Sequence, residues 1–584
     1  MIERGYTGRL VLVVSLLTLV WAGLGTRLVF LHLGSNESLR ARIESIRKVE
    51  EEIPVGRGRI LDRHKNILAL DLPVKNVCAD PQTILADGHL QFIGAQLARM
   101  LQLDPAMVLT RLNRPNRRFE YVKKFVPEDT AEKIERMQLN GIFMRETSTR
   151  YYPHNSLMCH VLGFSNMEGV GSAGVEQRFN TYMKGRTGLL ISEKDGHRRE
   201  LYNRRSLEID PEQGADVQLT LDQNIQYMVE KVLDAAMQEY RAKGAWAVVE
   251  RVGTGEILAL ANRPAYDLNL YRTTPTDKML NRAIGYVFEP GSTFKVGVIA
   301  AALNEGTVTP EEIFDCENGA WHYMGRVLHD FHPYGNLSVA DILKKSSNIG
   351  AAKVALTLGE ARLEKYLRDF GFGCPTGLDL PGEEGGILFP RSKWSKLSMS
   401  RIPMGQGVGV TAMQMLNMLC CIANNGFLMK PYMAQSIVDA EGHTVARMDP
   451  EVVGHPIRED TARLMQKLLL RVTEEGGTGA KARVNGYPVA GKTGTAQKAI
   501  PGGYSSEANI ASFMGFIPAD NPEVGIMVIV DEPQPIHTGG QVAAPLFSAI
   551  ASQVVRYLDI PSGTNSAVIV NEELLPSEEY VEDM

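Results

Sequence analysis

The sequence predicts an α+β protein with a single N-terminal transmembrane helix, a middle region of mixed pattern, and a C-terminal domain with sheet elements at both ends and helices between. Three observations predict it. An uncharged apolar run near the N-terminus is long enough to cross a bilayer, period-two alternation marks both ends of the C-terminal half, and helix-rich sequence fills the interval. The 584 residues suit about three or four domains, and 44% hydrophobic with 22% charged residues is ordinary globular composition. A net charge of -6, from 62 Lys plus Arg against 68 Asp plus Glu, excludes a basic nucleic-acid binder. Wholesale disorder and a multi-span membrane protein are excluded too. The six cysteines form no C-x-x-C pair, and most read as small buried hydrophobes.

The apolar run from Leu10 to Thr26, about 17 residues between Arg9 and Arg27, continues to Leu31 if Arg27 snorkels. A transmembrane helix is the expectation, ahead of a cleaved signal peptide, for which no clear cleavage site follows, and of a buried core helix. Arg4 and Arg9 precede the span while Arg40, Arg42, Arg47 and Lys48 follow it. Charge counting alone would therefore put the C-terminal bulk inside, but long domains translocate largely regardless of such charges. Glu37 to Glu52 reads as a charged helical stalk ending in a turn at Pro54-Val55-Gly56.

A second compact region starts at Asp216, where Val217, Leu219 and Leu221 alternate as a strand and Asp222 is placed to cap a helix from Gln223. Ala245 to Glu250 and Ile257 to Ala261, joined through Gly253-Thr254-Gly255, read as a hairpin. Helix-rich sequence runs from about Leu280 to Gly426. Strand signals return at Ile510 to Phe516 and Val524 to Val530, before an amphipathic helix from Ala544 to Leu558. The first and last strands should pair around the helices. The expected divisions are 1–33 for the N-terminal tip and span, 34–214 for the mixed region, 215–560 for the C-terminal domain and 561–584 for an acidic, disordered tail.

Ser292 follows the turn residues Pro290 and Gly291 and opens an apolar helix, Val296 to Leu303. Three residues on, Lys295 shares its helix face, where a desolvated neutral amine can take the hydroxyl proton. An isolated S-x-x-K is more often a capping serine and an exposed lysine. Here the helix is apolar all round, which implies burial, and a buried lysine needs a reason. Ser346-Ser347-Asn348 lies between two helical stretches, and Lys492-Thr493-Gly494-Thr495 reads as a strand edge. Each is ordinary alone; the order S-x-x-K, S-x-N, K-T-G within one domain is a strong signal.

With these motifs the sequence resembles the class B penicillin-binding proteins, the monofunctional peptidoglycan D,D-transpeptidases, from the membrane helix to about residue 560; the resemblance implies an elongated mixed pedestal domain over 34–214 and a transpeptidase domain with a mainly antiparallel sheet flanked by helices. Arg57-Gly58-Arg59-Ile60-Leu61-Asp62-Arg63, Arg150-Tyr151-Tyr152-Pro153 with His160 to Phe164, and Gly174-Val175-Glu176 with Phe179-Asn180 resemble its pedestal motifs. His64-Lys65 replaces the usual Asn-Gly turn. Gly405-Gln406-Gly407 and Gly539-Gly540 also match, and nothing upstream resembles a glycosyltransferase module.

The resemblance implies Ser292 as nucleophile, Lys295 as general base, Ser346 as proton relay and Asn348 as the residue orienting Lys295 and the substrate amide. It implies an oxyanion hole from the N–H groups of Ser292 and Thr495, and a carboxylate site from Lys492, Thr493, Gly494 and Thr495. No cofactor or metal is implied. The substrates would be peptidoglycan stem peptides, and β-lactam antibiotics would acylate Ser292. The short pedestal is most similar to the cell-division branch, with septal wall synthesis as its role; an elongation role is the alternative. The family also places the bulk outside the cytoplasmic membrane, single-pass with the N-terminus in the cytoplasm. It suggests as partners a polytopic glycosyltransferase of the FtsW kind and other division proteins, and no nucleic acid.

Rival readings are weaker. Gly486 to Thr493 fits G-x-x-x-x-G-K-[ST], but a P-loop must open a helix, and Gly494-Thr495 then Pro501-Gly502-Gly503 follow instead. Cys316, His322, His329 and His332 match no standard zinc spacing. A non-catalytic membrane scaffold would carry degenerate motifs, whereas all three are intact. β-Lactamases and carboxypeptidases share the motifs but not a large membrane-anchored pedestal. The net charge belongs to the tail: residues 561–584 hold six acids and no Lys or Arg, leaving 62 of each sign elsewhere.

Overall fold

The computed structural model describes residues 3–33, 48–53, 55–193, 207–500 and 503–562. The tail from residue 563 and most of the expected stalk, 37–47, lie outside them. Helix α1 (Glu3–Leu33) contains the expected span as Tyr6–His32. At 27 residues it is about 40 Å long, enough for the hydrocarbon core of a bilayer. Large apolar side chains such as Leu10, Trp21 and Phe30 are exposed along it, as lipid contact requires.

Lys48–Ile53 is a strand, not the end of a helical stalk, and pairs antiparallel with Gly188–Glu193, which in turn pairs with Leu207–Ile209. Glutamate-rich sequence has weak strand propensity, so the partner strand's hydrogen bonds override the local preference. The chain divides into two compact units, residues 1–55 with 186–212, and residues 56–185 with 213–584.

In the larger unit, β1 (Ile60–Leu61) and β2 (Ile67–Ala79) flank the turn at His64-Lys65. The turn forms without glycine because Lys65 takes φ +68° and Asp62 accepts the N–H groups of His64 and Asn66, both at 2.8 Å. Strands β3 (Glu120–Pro127) and β4 (Ile142–Tyr151) pair with β2 on either side, and short helices between residues 81 and 136 pack their apolar faces on them. The distant pedestal motifs converge on Glu176, which has no exposed surface. Its carboxylate meets Arg57 Nε and Arg150 Nε, each at 2.6 Å, and Arg150 also pairs with Asp71.

Strand β5 (Asp216–Leu219) departs from expectation in its partners. It runs parallel beside β1 and antiparallel to β8 (Ala434–Val438), which carries β9 (Thr444–Arg447) on its far side. The sheet of the N-terminal half therefore continues into the C-terminal half. Asp222 caps α2 (Gln223–Glu239) as predicted, accepting from Asn224 and Ile225.

The central sheet of the C-terminal half has five antiparallel strands. Their order is β7 (Ile257–Arg263), β6 (Gly244–Arg251), β12 (Val524–Asp531), β11 (Gly503–Ile517) and β10 (Ala490–Ile500). β6 pairs with β12 as Ala245 with Val530, so the hairpin near the start of this half meets its last strand, while β5 lies in the other sheet. Alternate residues of each strand face opposite layers. One face packs on α2 and α9 (Ala543–Tyr557). The other packs on an all-helical layer of α3 (Lys295–Asn304), α4 (Val339–Lys345), α5 (Asn348–Leu358), α6 (Glu360–Asp369), α7 (Ala412–Ala423) and α8 (Glu459–Thr473). The interval from 280 to 426 is helix-rich but also holds short strands, Ile313–Asp315, Ala320–Tyr323, Arg326–His329 and Asn336–Ser338.

Candidate active site

A turn of 3₁₀ helix, Gly291–Phe294, runs directly into α3, so Ser292 stands at the N-terminal end of a continuous helical segment. Gly291 has φ +58°, and a Cβ there would lie 3.1 Å from the Thr495 carbonyl oxygen. The glycine thus supplies both the turn and the close approach of the serine to β10. α3 is buried at every position, which carries Lys295 into the interior with no exposed surface.

Lys295 Nζ donates to Ser292 Oγ at 3.1 Å, to the Ser346 carbonyl at 2.6 Å and to Asn348 Oδ1 at 2.7 Å. Burial pushes its amine down to about 7, against the opposing charge of Asp330. A substantial neutral fraction therefore exists near neutral pH, as a general base needs. The S-x-N turn joins α4 to α5. Ser346 ends α4 in the left-handed region (φ 64°, ψ 39°), and Ser347 caps α5 by accepting from the Gly350 N–H.

Lys492 lies on β10, the edge strand of the central sheet, and has no exposed surface either. Its Nζ donates to Ser346 Oγ at 2.9 Å and to the Thr493 carbonyl at 3.1 Å. Burial, and then the Lys295 charge, hold it well below an ordinary lysine. Thr493 Oγ1 donates to Thr478 Oγ1 at 2.9 Å, and Thr495 Oγ1 accepts the Gly539 N–H at 3.0 Å. A Cβ on Gly494 would stand 2.3 Å from Ser512 Oγ and 2.9 Å from Thr293 Cγ2, so only glycine lets β10 sit against its neighbours there.

The structure brings every predicted site residue together. Ser292, Ser346, Asn348, Thr493 and Thr495 line one cleft of about 680 Å³, with Lys295, Lys492 and Gly494 directly behind its wall. Gly405, Gln406 and Gly540, from motifs that looked secondary in sequence, line it too. Sequence reasoning missed Asp330, Phe331, Thr478 and His537, and weighed His332 only as a metal ligand. No spacing rule links them to the motifs; only folding of the Arg326–His329 strand and the loops after α8 and β12 brings them near. The P-loop reading is overturned, because Lys492-Thr493 lies inside a strand and no helix N-terminus presents N–H groups at that position.

A serine at a helix start, a buried amine within hydrogen-bond reach and an open strand edge are an arrangement that nucleophilic serine chemistry can use. Residues 245–552 match the penicillin-binding protein transpeptidase domain, and residues 52–219 match the penicillin-binding protein dimerisation domain. The chain is 32% identical to the peptidoglycan D,D-transpeptidase FtsI of Escherichia coli K12, over 89% of this chain and 88% of that protein. It is 32% identical to stage V sporulation protein D of Bacillus subtilis, over 95% and 87% respectively. Penicillin-binding protein 3 of Mycobacterium tuberculosis, solved with aztreonam, superimposes with a TM-score of 0.70 at 27% identity, covering 88% of this chain and 98% of that one. The chain therefore belongs to the class B penicillin-binding proteins, with a dimerisation domain and a transpeptidase domain.

Proposed function

We propose that this chain cross-links peptidoglycan stem peptides through an acyl-enzyme on Ser292. The observation that carries the reading is the Lys295 amine, fully buried and bonded at once to Ser292, Ser346 and Asn348. Lys295 takes the Ser292 proton as Oγ attacks the carbonyl between the two terminal D-alanines. The N–H groups of Ser292 and Thr495 stabilise the oxyanion, aided by the positive end of the helix behind Ser292. The C–N bond then breaks. Ser346, in contact with both lysines, passes a proton to the leaving D-alanine amine. Asn348 orients Lys295 and the substrate amide. Lys492, Thr493, Gly494 and Thr495 form the site for the donor's terminal carboxylate.

The amine of a second stem peptide attacks the ester, gives up a proton to Lys295, and forms the new amide while Ser292 leaves and is reprotonated. β-Lactams would enter the first half of this cycle and remain on Ser292; the aztreonam complex of the mycobacterial neighbour supports that reading. The test uses purified full-length protein in detergent with a fluorescent penicillin. Labelling should vanish in Ser292→Ala; persistent labelling removes Ser292 as nucleophile.

The family resemblance, together with the FtsI relative, supports a septal role. Helix α1 fits a single-pass anchor in the cytoplasmic membrane. The N-terminus would lie in the cytoplasm and the catalytic domain outside, where the substrate is. A polytopic glycosyltransferase of the FtsW kind and other division proteins would be its partners. Depletion should give filaments; round cells would instead favour an elongation role.

A further inference from the structure

Asp330 belongs to none of the three motifs, yet it holds one of them. Its Oδ1 accepts the backbone N–H groups of Asn348 and, at 3.0 Å, Ile349; its Oδ2 accepts the Ser347 hydroxyl at 2.6 Å. A single carboxylate thereby satisfies two of the four N–H groups that the start of α5 leaves without helical partners, and sits at the favourable end of its dipole. Next to it, the His329 carbonyl accepts Asn348 Nδ2 at 2.9 Å. That bond turns the Asn348 amide so that Oδ1 faces Lys295 Nζ. Ser346 holds a left-handed conformation that costs a non-glycine residue free energy and persists only where its surroundings over-determine it. The bonds to His329 and Asp330 supply that constraint from outside the turn.

We infer that Asp330 is a positioning residue whose carboxylate locks the Ser346-Ser347-Asn348 turn and whose negative charge acts on Lys295 through Asn348. This rests on the reading of Ser292 and Lys295 as the acylating pair. The charge acts along a half-buried hydrogen-bonded path from Asp330 through Asn348 to the fully buried Lys295. Its sign opposes burial: Asp330 holds the amine higher than burial alone would leave it.

The other ionisable groups around Lys295 are occupied or face the open cleft. Lys492 bonds Ser346; Lys345 of α4 donates to the Gly476 carbonyl, and Lys481 donates to Gln541. Glu289, His332 and His537 line the cleft. From the helices packed on α3, Asp341 of α4 pairs with Arg471 of α8, Lys353 of α5 with Glu317, and Tyr366 of α6 bonds Asn304 at the far end of α3. Asp330 is the acid whose charge bears on Lys295.

The test is the pH profile of β-lactam acylation of the full-length protein in detergent, with Asp330→Asn as the first variant. Asp330→Ser, a shorter uncharged acceptor, is the second, in case the amide fails to fold. Ser347→Ala removes a bond of the same turn without changing charge. In wild type the acid limb, where Lys295 becomes protonated, lies near pH 7. Both Asp330 variants should move it to lower pH by about half to one unit, and lower the plateau rate. Ser347→Ala should lower the plateau and leave the limb in place. If both Asp330 variants keep the wild-type limb, the residue is a structural cap alone and the inference fails. Failure of the underlying reading looks different: acylation survives in Ser292→Ala, or the wild-type profile is flat through pH 7.

Discussion

Lys492 Nζ donates to Ser346 Oγ at 2.9 Å, while Lys295 Nζ reaches the same hydroxyl at 3.3 Å from the other side. One serine thus separates two buried amines that would repel if both were charged. The pair can hold a proton between them through a hydroxyl that both donates and accepts. A carboxylate bound beside Lys492 would favour its protonated form, and the positive charge there would disfavour a second one on Lys295.

Lys492→Ala should therefore weaken two things. The carboxylate loses a charge-assisted partner, and acylation by a β-lactam should fall about 10- to 100-fold in second-order rate. Stopped-flow labelling with a fluorescent penicillin measures it; an unchanged rate would rule out carboxylate recognition by this lysine.

Gly494→Ala probes the packing of the edge strand. The new methyl would meet Ser512 Oγ and Thr293 Cγ2 inside van der Waals distance, so β10 must move relative to Ser292. Acylation should slow by about tenfold or more, because the reacting groups lose their alignment. Loss of signal should come in the rate and not in the melting of the central sheet; a fully active, normally melting variant would refute the close-approach argument.

Glu250 offers a pH test remote from the cleft. It is fully buried on β6, neither of its oxygens has a hydrogen-bond partner, and the Cys420 thiol is the polar group beside it. Burial pushes its carboxyl up to about 8, from 4.5. The folded state then binds more protons than the unfolded between those values, so its contribution to stability is full below pH 4.5 and is lost as pH rises through 8. Glu250→Gln should flatten this decline and raise Tm at pH 8.5 by about 2–4 °C. Parallel melting curves from pH 6 to 9 for the two proteins would contradict it.

Glu176→Ala should be the costliest change in the N-terminal half. It leaves Arg57 and Arg150 buried with one fewer counter-ion, at about 3–5 kcal/mol. Thermal melting of the full-length protein reports the loss; a shift under a degree would mean the two arginines re-pair locally, with Asp71 the available acid.

The candidate site residues were legible in sequence because their spacing is local. S-x-x-K needs one helix turn and S-x-N one loop, and K-T-G lies on a strand that alternation betrays. The helix caps at Asp222 and the pairing of Ala245 with Val530 were legible for the same reason: capping residues and apolar periodicity speak directly. Two things were hidden. Lys48–Ile53 owes its strand conformation to Gly188–Glu193, more than a hundred residues on, and no local propensity encodes that pairing. Asp330 sits in an unremarkable loop, and its partners become visible only once the short strand Arg326–His329 turns the chain toward α5.

Strand β5 has a practical consequence for anyone dividing this protein. It enters the C-terminal half already wedged between β1 and β8, with Ile60 beside Val217. Cutting the chain near residue 214, where the sequence alone suggests a boundary, would strip β5 of its parallel neighbour and bare a row of backbone donors and acceptors. Such an edge recruits other strands, so a truncated fragment should be prone to aggregation unless Ile60–Ala79 is retained with it.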